Sequence, residues 1–121
     1  MDTELCNILK TEYSFEFDEK RKKAMLNSYY KYGPARKNYS SGNIKAIATL
    51  RKCLDKYEET GNTEYLCDVA NYAMLEFMWP QIQGAGYTPT TAEKDSAGIV
   101  GISVVEIEEY RRRNACESGR Y

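Results

Sequence analysis

The chain has 121 residues, a formal net charge of −1 and no histidine, with 42% hydrophobic and 29% charged residues. That length suits one domain with a sizeable core, and the near-neutral charge gives no general pull toward nucleic acid or anionic membrane. Without histidine there can be no Ser-His or Cys-His triad, no histidine general base and no histidine-containing zinc site. Any chemistry must rest on carboxylates, Lys, Arg, Tyr or a carboxylate-bound metal.

The start, MDTELCNILKTEYS, has no basic region ahead of its short apolar run, and Cys6, Cys53, Cys67 and Cys116 show no C-x-x-C spacing. These features predict free thiols in a reducing cytoplasm. No run approaches the roughly 18 apolar residues that a membrane span requires.

In chain order, residues 1–17 allow a short helix at 3–10 followed by an extended YSFEF, and this end is expected to be loosely ordered. Asp18 is a candidate N-cap for a helix from Glu19 to Tyr32, with Met25, Tyr29 and Tyr32 on one face. Gly33-Pro34 stops it. ARKNYSSGN reads as a loop, with Ser41 or Asn43 capping a helix from Ile44 to about Thr60 whose inward stripe is Ile47, Leu50, Leu54 and Tyr57. Gly61-Asn62 ends that helix and Thr63 caps the next, Glu64 to Trp79. So short a connection predicts an antiparallel hairpin. Pro80 closes it, and residues 80–102 form a long Gly-, Thr- and Pro-rich loop with at most one short helix. SVVE at 103–106 reads as a capping box opening a last helix to about Asn114, with Val104, Ile107 and Tyr110 inward. Residues 115–121 are expected to fray. The fold class is therefore all-α, a four- or five-helix bundle in a single domain, residues 1–121, built around the hairpin.

The hairpin's second helix holds the main anomaly. It is apolar nearly all round, yet Glu64, Asp68 and Asn71 fall within about 60° of one another on a helical wheel. An ionised carboxylate is not buried alone, because desolvation costs several kcal/mol. Asp68 needs a cation, a metal or a water-filled cleft. Hairpin register sets it opposite Asp55 and Lys52. One outcome is an ion-pair network in which Arg51, Lys52 or Lys56 neutralises Asp68. The other is a carboxylate cluster from facing helices, Asp55, Glu58, Glu64 and Asp68, of the kind that holds Mg²⁺ against substrate phosphates. A helix so apolar, with so few neighbours to cover it, also predicts a homo-oligomer.

Asp55-x-x-Glu58 followed by Glu64-x-x-x-Asp68 on a helical hairpin resembles the all-α nucleoside-triphosphate pyrophosphohydrolases, the MazG-like family, over residues 44–79. That family gathers Mg²⁺ with E-x-x-E on one helix and E-x-x-D on the next. The second motif here is one residue longer, and the segment between the motifs is shorter. The resemblance implies a metal-ligand role for these four acids. The run YEETGNTEYLCDVANYAMLEF also resembles small proteins of phage genomes, which implies a viral setting.

Lys20 to Tyr39 carries seven Lys and Arg residues, four tyrosines and no acid, a combination suited to phosphates and stacked bases. Lys31, Arg36, Lys37, Tyr32 and Tyr39, with Asn71, are the candidate ligand-binding residues; a plain basic helix surface with core tyrosines is the alternative. No recognition-helix pattern points to duplex DNA. The leading expectation is a nucleotide-binding protein, with Mg²⁺-dependent pyrophosphohydrolysis as its catalytic form. The alternative is a non-catalytic counter-defence protein that sequesters a nucleotide signal or inhibits a host protein.

Overall fold

The computed structural model describes residues 3–101 and 104–118. Among them are six α-helices, one 3-10 turn and no strand: α1 (Thr3–Glu12), α2 (Phe15–Tyr32), α3 (Ala35–Ser40), α4 (Ala46–Thr60), α5 (Glu64–Met78) and α6 (Val104–Ser118), with the 3-10 turn at Glu93–Asp95. The all-α expectation holds. No helix among the described residues is long and apolar enough to cross a membrane. The chain divides after Gly86 into two compact units.

In the first unit, α2 begins earlier than its acids suggest. Ser14, in extended geometry, is the N-cap, and its Oγ accepts the Phe17 N–H at 3.0 Å. Asp18, expected as the cap, lies inside the first turn, where its carboxylate accepts from the Tyr13 hydroxyl and from Arg21 Nε at 2.8 Å. Both partners hold its carboxyl below the usual Asp range. The helix therefore absorbs the stretch read as extended. Gly33 ends it with φ 81° and ψ −169°, a conformation open almost only to glycine, and its N–H returns to the Tyr29 carbonyl at 2.8 Å.

The segment ARKNYS is not a loop. Pro34 sets the entry and Ala35–Ser40 makes one and a half turns of helix, which brings Tyr39 into the core. Neither Ser41 nor Asn43 caps α4. That helix starts at Ala46 with Lys45 as N-cap and no capping bond from its own flank. The donor is satisfied from a distance: Gln81 Oε1 accepts the Ala46 N–H at 3.0 Å, while Gln81 Nε2 donates to the carbonyls of Tyr39 (3.0 Å) and Ile44 (2.7 Å). Gln81 is itself anchored through its backbone N–H to Glu76 Oε2 at 2.9 Å. One side chain thus ties the end of α3, the start of α4 and the exit of α5.

The hairpin of α4 and α5 is present. Gly61 adopts the left-handed conformation (φ 70°, ψ 9°) and donates to Tyr57 O. Asn62, rather than Thr63, supplies the side-chain cap of α5, its Oδ1 accepting the Glu64 N–H at 3.0 Å. α5 packs against both α4 and α2, so the apolar helix is the middle one. Its most buried row is Cys67, Asn71 and Leu75. The core, Tyr39, Ala46 and Leu75, is flanked by Met25, Ala35, Ile44, Tyr72 and Trp79.

In the second unit, the stretch read as a long loop contains only the 3-10 turn before α6. Ile107 and Tyr110, expected inward, are exposed. The capping-box residue Ser103 and the Val104 side chain lie outside the described residues.

Candidate functional site

A cleft of about 370 Å³ opens in the first unit, walled by the C-terminal half of α2, by α3 and by α5. Its aromatic walls are Tyr29, Tyr32, Tyr39 and Tyr72, and its polar groups are Ser28, Asn38, Asp68 and Asn71. Tyr29 and Tyr32 come from the last turn of α2, which Gly33 terminates. Tyr39 is delivered by α3, and its ring meets that of Tyr72 edge to face, centroids 6.3 Å apart. Burial, with the neighbouring phenol or thiol, raises the proton affinity of both Tyr39 and Tyr72, so both remain neutral phenols.

Asn71 and Asp68 are the chemically unsettled members. Asn71 is only 6% exposed. Its Nδ2 donates to the Arg21 carbonyl of α2 at 2.9 Å, which fixes the amide orientation and leaves Oδ1 buried with no donor. A buried amide oxygen left unmatched costs on the order of 1–3 kcal/mol. Asp68, one turn earlier on α5, is half-buried, and no ion pair to it occurs among the described residues. Burial and then the charge of Glu64 raise its carboxyl above the ordinary Asp range.

The ion-pair network expected around Asp68 is absent among the described residues. Lys56 pairs with Glu59 along its own helix at 3.7 Å, and Arg51 and Lys52 are exposed. The residue of α4 whose thiol senses the Asp68 charge is Cys53, pushed up by burial and by that carboxylate. Of the stripe expected on α4, Ile47, Leu50 and Tyr57 are partly covered, as is Cys53, while Leu54 is exposed.

The four predicted metal ligands are not gathered. Asp55 and Glu58 are exposed on α4. Glu64 lines a separate open groove with Lys20 and Lys23, whereas Asp68 lines the tyrosine cleft. Among the described residues, no three carboxylates or thiols come close enough to hold a metal ion together. Of the predicted ligand-binding residues, Tyr32, Tyr39 and Asn71 line the cleft. Lys31, Arg36 and Lys37 do not line it; they are exposed on α2 and α3, next in sequence to residues that do.

Sequence reasoning missed Tyr29 and Tyr72 as cleft walls and Asn38 as a polar neighbour, because the short helix α3 that assembles them was read as loop. Pro34 followed by a six-residue run without glycine was the available signal. Fold and site together define a small all-α protein whose first unit carries a tyrosine-lined cleft with Asp68 and Asn71 in its lining. No protein-family model, curated protein or solved structure matches the chain.

Proposed function

We propose that this protein binds a nucleotide, base first, in the tyrosine-lined cleft, with the phosphates outward near Lys31, Arg36 and Lys37. The observation that carries this reading is the buried, donorless Oδ1 of Asn71 close in sequence to the half-buried Asp68 carboxylate, which has no ion pair among the described residues, in a cleft lined by four tyrosines. Such a lining repels a phosphate and attracts a flat ring bearing N–H donors, while phenol rings stack on any base. The cations of α2 and α3 supply the charge that the phosphates need. In the phage setting that the sequence resembles, binding of this kind would sequester a nucleotide signal. The unpaired thiols of Cys6, Cys53 and Cys67 suit a cytoplasmic protein.

The test is thermal unfolding with a panel of nucleoside mono- and triphosphates, with and without Mg²⁺. Ligand at about 100 times its Kd stabilises the folded state by about 2.7 kcal/mol, so a rise in Tm of several degrees that needs no metal is expected. A rise that requires Mg²⁺ would instead support the catalytic reading. No response at millimolar nucleotide would overturn nucleotide binding. It would favour the interaction reading, which the exposed Phe15, Leu26, Tyr29 and Tyr30 of α2 support.

A further inference from the structure

We infer that the base taken by the cleft is guanine, its Watson–Crick edge set against Asp68 and Asn71. This rests on the nucleotide reading above and adds the identity of the base. Asn71 Oδ1 is a buried acceptor without a donor, the half-buried Asp68 carboxylate is an acceptor with no ion pair among the described residues, and the two lie three residues apart on one face of α5. The buried, unpartnered oxygen of Asn71 is independent of the carboxylate and asks for the same thing, a donor. A carboxylate offers two parallel acceptor oxygens, so its best match is a pair of adjacent donors in one plane.

Among the common bases, guanine alone presents such a pair, N1–H beside the exocyclic N2 amino group. The edge of adenine sets its N6 amino group next to the N1 or N7 acceptor, and that of cytosine sets N4 next to N3. Uracil flanks its single N3–H with two carbonyl oxygens. Each of these would bring a lone pair against an oxygen of Asp68, an uncompensated contact in a half-buried site. The phenols of Tyr39 and Tyr72, held neutral, add no charge to oppose this pairing.

Calorimetric titration of the full chain with GMP, IMP, AMP, CMP and UMP tests the assignment. GMP is expected to bind tightest. IMP, which lacks only the N2 amino group, should bind at least about tenfold more weakly, the loss expected of one charge-assisted hydrogen bond. The Asp68→Asn variant, near-isosteric and checked for helicity by circular dichroism, should lose the preference for GMP over AMP. Equal binding of GMP, IMP and AMP by the wild-type chain, or an unchanged ranking in Asp68→Asn, would overturn the guanine assignment and leave nucleotide binding standing. Failure of every nucleotide to bind would remove both.

Discussion

Asp68 illustrates how a single residue can be set against the fold it belongs to. Its folded carboxyl binds a proton more tightly than the unfolded one, whose ordinary value is near 3.8, because of burial and then the Glu64 charge. Stability from this group is therefore greatest below the unfolded value and falls as pH rises through the folded value. The neighbouring Cys53 and Tyr72 are both shifted upward from already high values, so neither titrates in that window. Asp68→Asn should raise Tm at neutral pH, and its advantage over wild type should shrink as pH is lowered toward the ordinary Asp value. Thermal melts of the two proteins from acid to neutral pH check this. A variant less stable than wild type at pH 7 would mean that Asp68 has a stabilising partner, and that the cleft is not short of a donor. The sequence made the anomaly visible, since Asp68 stands in an apolar helix. It did not show that Arg51, Lys52 and Lys56 would all turn away.

At the scale of elements, the long periodic helices were legible and the capping chemistry was less so. The hairpin followed from Gly61-Asn62 between two apolar-periodic runs, and its ends agree within a residue or two. The start of α2 was misplaced because Asp18 resembles a cap, yet Ser14 satisfies the Phe17 N–H and leaves Asp18 to Tyr13 and Arg21. The start of α4 was beyond local reasoning, because its cap is 35 residues away in sequence. Gln81 makes three side-chain hydrogen bonds there, to Ala46 N, Tyr39 O and Ile44 O. Gln81→Ala would strand a helix N-terminal donor and two carbonyls near the core residues Tyr39 and Ala46. A loss of roughly 2–3 kcal/mol is expected, between a lost cap and a broken buried network. Urea unfolding measures it, and a change below about 0.5 kcal/mol, typical of neutral surface sites, would show that water replaces the amide. The register of the hairpin explains the scattered acids in the same way. Cys53, on the covered side of α4, is the residue that faces the Asp68 charge, and Asp55 stays exposed.

At the scale of the whole molecule, the apolar surface exceeds what the core accounts for. Neither α1 nor α2 buries a single residue, and Leu26 is 58% and Tyr30 81% exposed. Phe15, Leu26 and Tyr30 fall on one face of α2 at helical spacing, away from Arg21 and Met25, which meet α5. An apolar stripe of this kind on a protein with so small a core is unfavourable in water. Charge along the same segment is divided, with Glu12, Glu16, Asp18 and Glu19 at its start and Lys20, Arg21, Lys22, Lys23, Lys31, Arg36 and Lys37 after them. Two copies of α2 laid antiparallel would cover the stripe and set each acidic end against a basic one, the self-complementary geometry of a two-fold interface. We therefore expect a homodimer or larger. Sedimentation equilibrium should give at least twice 13.9 kDa at micromolar concentration, with association weakened by high salt. Leu26→Glu should yield a monomer of undiminished helicity, since Leu26 supports no contact within its own chain's core. A wild-type chain that sediments as a monomer would mean that the stripe belongs to a different partner. The guanine-binding test stands apart from this one, because Phe15, Leu26 and Tyr30 do not line the cleft.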